Sequence, residues 1–142
     1  MAKRFHVGRR IAASPERVWS LLTDASSYPD WNPSIANIEG DMSMGSKVRL
    51  VSKVNPKRTF TLTATVGEPP NAMVWSDGMP FGLFTGERTF RLSAAERGTN
   101  FSMTEEFRGP LSGLITKAIP DMTDSFDHYA DGLKAAAEQG GA

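Results

Sequence analysis

LSGLITKAIPDMTDSFDHYADGLKAAAE, residues 111–138, repeats its apolar side chains with the period of an α-helix. At about 100° per residue, Leu111, Leu114, Ile115, Ala118, Ile119, Met122, Phe126, Tyr129, Ala130, Leu133 and Ala137 fall on one broad stripe, while Asp124, Asp127, Asp131 and Glu138 face away. The spacing predicts one long amphipathic helix from Leu111 to Glu138, and its stripe needs a partner surface. Pro120 lies opposite the stripe, where its ring and missing N–H bend a helix with the apolar face concave. A helix bent that way suits a curved sheet. Met122, Phe126 and Tyr129, in the middle of the stripe, fit plain core or the wall of a ligand cavity.

The residues upstream supply such a sheet. Phe101, Met103, Glu105 and Phe107 share one face of a strand, and before the Ala94–Gly98 turn Phe84, Gly86, Arg88, Phe90 and Leu92 share one face of another. Further back, Met73–Asp77 follows a Glu68–Asn71 turn, and Phe60, Leu62, Ala64 and Val66 alternate with threonines. Val48, Leu50, Ser52 and Val54 alternate with Lys47, Arg49, Val51 and Lys53, and Ile35–Glu39 makes a short strand before them. The loop Gly78–Gly82 carries Met79 and Phe81, odd choices for a solvated connection. At the other end, Phe5, Val7, Arg9 and Ile11 alternate with His6, Gly8 and Arg10, giving a first strand over Lys3–Ala12. Arg9 thus falls on the apolar face. Either a bulge at Gly8 shifts the alternation, or the cation points inward to a partner.

Between the first strand and the rest, Ser14-Pro15-Glu16 combines an N-cap, a proline at the first helical position and an acid in the first turn. Val18, Trp19 and Leu22 mark the buried side of the short helix this starts. A second short helix or turn over Asp24–Pro33 cannot continue past Pro33. Consecutive strands with short turns make an antiparallel sheet, and segregated helices make an α+β layer pair. One domain spanning residues 1–142 follows, large enough to bury a core unaided.

Composition narrows the function classes. Sixteen basic and sixteen acidic residues cancel, so nothing favours a polyanion, and nucleic acid is not an expected partner. The absence of cysteine excludes disulfides, thiolate metal sites and a Cys nucleophile. No segment approaches the roughly 20 apolar residues of a membrane span, and the basic Met1–Arg4 is followed by no apolar signal core. A cytoplasmic location is the expectation, as a monomer or homodimer. No nucleophile elbow, metal-spaced histidines or carboxylates, or phosphate-cradling glycine loop is present, so no metal and no cofactor is expected.

Ser14-Pro15-Glu16-Arg17-Val18-Trp19, Leu22-Thr23-Asp24 and Trp31-Asn32-Pro33 resemble the opening of the START-like, or Bet v 1-like, helix-grip superfamily (SRPBCC). Gly82-Leu83-Phe84-Thr85-Gly86-Glu87, Gly98-Thr99, Glu105-Glu106-Phe107 and Leu133-Lys134 resemble its bacterial polyketide cyclase/dehydrase branch. The resemblance covers nearly the whole chain, through motifs that are mostly structural. It implies a curved seven-stranded antiparallel sheet wrapped around the long C-terminal helix, with two short helices after the first strand. It also implies a last strand lying between the first and the sixth, and an apolar cavity between sheet and helix. Members bind or carry hydrophobic small molecules more often than they catalyse, so fold analogy alone gives no activity.

Leu50, Phe60, Leu62, Trp75, Phe84, Phe90, Met103, Met122 and Phe126 are the candidate lining of that cavity. A hairpin about the Ala94–Gly98 turn that sets Leu92 opposite Phe101 also sets Arg88 opposite Glu105, both facing the helix. Two charges in an apolar interior persist only if paired. The pair reads as a register-setting ion pair or as the polar end of the cavity, with Arg9 a possible third member. The branch often has His at the Arg88 position; Arg there weakens a proton-transfer role. Asp77 sits by the expected mouth, where turn chemistry also explains it, and His128 reads as a surface partner of Asp124 one turn earlier. The leading function is binding or carriage of a hydrophobic, lipid-, isoprenoid- or polyketide-like small molecule. The alternatives are a polyketide cyclase/dehydrase-type enzyme using Glu105 as general acid or base, and an interaction module working through the outer face of the sheet.

Overall fold

Period-two alternation along the strands becomes one sheet with an apolar inner face. The computed structural model describes residues 3–33, 35–40, 42, 46–52, 60–67, 72–78, 83–111, 113 and 122–140. In chain order these form β1 (Lys3–Ile11), α1 (Pro15–Thr23), a 3-10 turn (Ala25–Ser27), α2 (Tyr28–Trp31), β2 (Ile35–Gly40), β3 (Ser46–Ser52), β4 (Phe60–Gly67), β5 (Ala72–Gly78), β6 (Thr85–Ala95), β7 (Gly98–Arg108) and α3 (Thr123–Gly140). All seven strands pair antiparallel in the order β1-β7-β6-β5-β4-β3-β2, a curled half-barrel. The last strand lies between the first and the sixth, as the helix-grip resemblance implied.

The local signals act as their chemistry dictates. Ser14 Oγ accepts the Arg17 N–H at 3.1 Å and starts α1, which buries Val18 and Leu22. Asp24 then accepts from Ser26 N at 3.1 Å, turning the chain into α2, whose Tyr28 and Trp31 are buried. On α3 the buried residues are Phe126, Tyr129, Ala130, Leu133 and Ala137, the predicted stripe. Leu111 stands in a turn rather than in the helix, its N–H donating to Leu83 O at 2.9 Å. Pro120 and the rest of the predicted stripe before Met122 lie outside the described residues, as do the Glu68–Asn71 turn and Met79–Gly82.

Along the seam between α3 and β1 one open alternative is decided and one expectation is corrected. The β1–β7 register runs unbroken from Lys3 opposite Phe107 to Ile11 opposite Thr99, so there is no bulge at Gly8 and Arg9 does point inward. Its partners are on the helix: Nη2 donates to Asp127 at 2.9 Å and Nε to Asp131 at 2.8 Å. The Asp131 hydrogen bond above all, with Asp127, raises the Arg9 pKa against the opposing effect of burial. Near the helix end, Glu138 accepts the Ala12 N–H at 2.9 Å and the Lys134 ammonium at 2.5 Å, and Lys134 also donates to Arg10 O at 2.9 Å. Those donors hold the Glu138 carboxyl below its usual range, the Ala12 N–H foremost. Asp127, Asp131 and Glu138 therefore do not simply face solvent. β1 is an edge strand, so the flank of α3 overhangs it and acids well off the stripe still reach the sheet.

Gly132 is where α3 meets α2. A Cβ built there would come within 1.9 Å of Trp31 O, a backbone atom that cannot swing aside. Ala in a helix gains about 1 kcal/mol over Gly in propensity, but this overlap forces the helices apart, at a cost of roughly 1–3 kcal/mol or more. Gly132→Ala is therefore expected to lower the denaturant midpoint. Gly113→Ala, where an added methyl meets nothing within 4 Å, should leave it level or slightly raised.

Candidate functional site

Antiparallel register stacks the inward side chains into rows across the sheet. One row is Ala64, Trp75, Arg88, Glu105 and Phe5, each opposite the next. The neighbouring row is Met73, Phe90, Met103 and Val7. Of the predicted lining, Leu50, Trp75, Phe90, Met103 and Phe126 are buried, while Leu62, Phe84 and Met122 stay half-buried. Phe84 stacks on Phe107 with ring centroids 5.8 Å apart, and Phe126 lies 5.9 Å from Phe5. Phe60 pairs with Leu50 through its backbone; its side chain is outside what the structure describes. Trp75, Phe90 and Phe126 thus belong to the buried core, and Leu62 and Met122 pack against it while partly exposed.

Arg88 and Glu105 form the predicted pair. Nε donates to Oε1 at 2.6 Å, with the two side chains only 13% and 15% exposed. Charge assistance explains so short a contact. The guanidinium carbon also sits 4.8 Å from the Phe126 ring centroid, 5.8 Å from that of Trp75 and 5.9 Å from that of Tyr129, so aromatic faces replace part of its lost hydration. Arg9 is no third member, because Asp127 and Asp131 hold it at the seam. Asp77 is exposed at the end of β5, opposite Gly86. His128 is exposed and makes no ion pair with Asp124. Among the described residues no group of three or more His, Asp or Glu is arranged to hold a metal ion, and no helix is long and apolar enough to cross a membrane.

A second polar cluster escaped the sequence reading. Tyr28 of α2 gives its one hydroxyl proton to Leu22 O at 2.5 Å, so the 2.7 Å contact with Tyr129 has Tyr129 as donor. The hydroxyls form an ordered chain, with the ring of Tyr129 edge-on to those of Tyr28 and Trp31. Burial, first of all, pushes both phenol pKa values upward. The available signal was that a buried tyrosine must place its hydroxyl, and Tyr28 and Tyr129 each lie among apolar helix positions. One donor nearby is left over: Trp75 Nε1 is buried with no acceptor among the described residues.

These two clusters give two tests. The chain has only two tyrosines and both are in the buried chain. Because the fold favours the neutral phenols, their stabilising effect is complete below about pH 10 and is lost as pH rises further. Tyrosinate absorbance of the native protein should therefore stay silent through about pH 10 and appear together with loss of the far-ultraviolet helix signal. For the ion pair, Glu105→Gln leaves Arg88 with a weaker partner and should cost roughly 1–3 kcal/mol. Adding Arg88→Met should recover part of that loss. Chemical denaturation of the four variants checks this, and additive effects would mean that the two side chains do not interact.

A search of the curated proteins by sequence finds no match. Among solved structures, the Zhui aromatase/cyclase from Streptomyces sp. R1128 is similar over 98% of this chain and 95% of its own, with a TM-score of 0.76 and 16% identity. Norcoclaurine synthase from Thalictrum flavum, a point mutant in complex with a transition-state analogue, is similar over 100% of this chain and 98% of its own, with a TM-score of 0.74 and 13% identity. A protein of unknown function from Staphylococcus aureus covers 99% of this chain and 96% of its own, with a TM-score of 0.69 and 17% identity. At such identities the likeness is one of fold. The family model for polyketide cyclase / dehydrase and lipid transport matches residues 2–138. With the β1-β7-β6 order and α3 laid along the inner face, that match identifies the chain as a member of the polyketide cyclase / dehydrase and lipid transport family, within the helix-grip superfamily.

Proposed function

We propose that this protein binds and carries a hydrophobic small molecule between the inner face of the sheet and α3. The observation that carries the reading is the Arg88–Glu105 pair, closed at 2.6 Å on a largely apolar inner face. A carboxylate serving as general acid or base must be free to exchange its proton with a substrate or a relay partner. Glu105 instead engages a guanidinium, which does not titrate near neutral pH. Tyr129, the phenol ring beside Arg88, is committed to Tyr28. Both facts support carriage over catalysis. In this reading the guest enters past the half-buried Leu62, Phe84 and Met122, and a methionine beside aromatics tolerates more than one ligand shape. Leu50, Trp75, Phe90, Met103 and Phe126 complete the wall, with Phe60 assigned from the sequence pattern.

A polyketide cyclase/dehydrase-type activity is the second reading, favoured by the family and by the aromatase/cyclase among the similar folds. In that reading the guest's own oxygen opens the ion pair and frees Glu105. Native mass spectrometry of protein purified gently from its own host tests the carrier directly. The expected result is a non-covalent small-molecule adduct that is lost on denaturation and whose extract displaces an apolar fluorescent dye. Bare protein mass, with no dye binding at all, would count against both readings.

A further inference from the structure

The Arg88–Glu105 pair is neutral as a whole but unequal in what it leaves unused. Arg88 has five N–H donors and spends the one on Nε; its Nη nitrogens have no partner among the described residues and are not among the sealed-off donors. Glu105 keeps one oxygen. Across the strand, the Trp75 indole N–H adds another donor without an acceptor, and Tyr129 has given its proton to Tyr28. Among the described residues this end of the inner face therefore has more unused donors than acceptors. It is also charge-balanced, because Glu105 already neutralises Arg88.

We propose that the Arg88 end of the inner face recognises a neutral carbonyl oxygen on its apolar guest and discriminates against a carboxylate. The proposal rests on the carrier reading above, and specifies the guest's polar group. A ketone, ester or quinone oxygen can take the Nη hydrogens while Glu105 stays on Nε, adding no charge to the interior. A fatty-acid-type carboxylate would bring a second anion to a single guanidinium a few ångströms from Glu105, where aromatic walls screen the repulsion poorly. A pure hydrocarbon would leave the Nη donors with nothing to bond.

The test uses three probes of one shape: 2-acetylnaphthalene, 2-naphthoate and 2-isopropylnaphthalene, titrated calorimetrically into the wild-type protein and two variants. Wild type should bind the ketone about tenfold or more tighter than the carboxylate. Glu105→Gln leaves Arg88 cationic and should reverse that order. In the Glu105→Gln, Arg88→Met double variant the ketone-to-hydrocarbon affinity ratio should fall about ten- to a hundredfold, the value of one hydrogen bond to a charged donor. Equal wild-type affinity for ketone and carboxylate would overturn the proposal and leave the carrier reading standing; this comparison needs no variant to fold. An unchanged ratio in a folded double variant would do the same. If none of the three probes binds, the carrier reading falls with it.

Discussion

Burial of one stripe of α3 is the constraint on which the rest of this structure depends. Phe126, Tyr129, Ala130, Leu133 and Ala137 cannot be covered by a flat layer, so the sheet curls around them and the short helices α1 and α2 close over the remaining side. Each large side chain so buried contributes about 1.5–3 kcal/mol. The contacts are also specific. Gly132 lets α2 approach within backbone contact, and Tyr129 reaches Tyr28, Trp31 and Phe90 at once. A helix held in this way is part of the core, and in the proposed carrier it is also one wall of the guest's site.

Polar interactions then fix where along the sheet the helix sits. Apolar packing is tolerant of sliding, whereas Arg9 clamped between Asp127 and Asp131 is not. Exposed ion pairs are individually worth little, with medians of about 0–1 kcal/mol. Here one guanidinium joins acids a helical turn apart, so the seam supplies registry more than stability. Glu138 on the Ala12 N–H does the same near the C-terminal end of the helix. The Arg88–Glu105 pair plays this part between β6 and β7, at a cost in desolvation that three aromatic rings reduce.

Much of this was legible in the sequence because periodicity reports burial directly. The stripe of α3, the Ser14 cap and the inward row containing Arg88 and Glu105 all follow from spacing, and antiparallel pairing about one turn sets the β6–β7 register. What spacing cannot report is which distant flanks meet. Asp127 and Asp131 lie well off the stripe, and only the edge position of β1 brings Arg9 to them. Tyr28 and Tyr129 are separated by 101 positions and meet because α2 docks on α3 through a glycine. Local patterns encode the elements, while the polar contacts that lock them belong to the topology.

The same distinction governs how function sits on this fold. An aromatase/cyclase and norcoclaurine synthase share the backbone arrangement at 16% and 13% identity, so the arrangement specifies an interior surface and leaves its chemistry to a few side chains. In this chain the polar side chains on that surface include an arginine and a glutamate paired through one hydrogen bond, beside two hydrogen-bonded phenols. Proton transfer would require one of these pairs to open, and opening Arg88–Glu105 without a replacement leaves two unpaired charges in an apolar interior. A guest that supplies its own acceptor meets Arg88 without that step. On the carrier reading proposed above, the guest is recognised rather than transformed, and Arg88 rather than Glu105 is the side chain that would meet it.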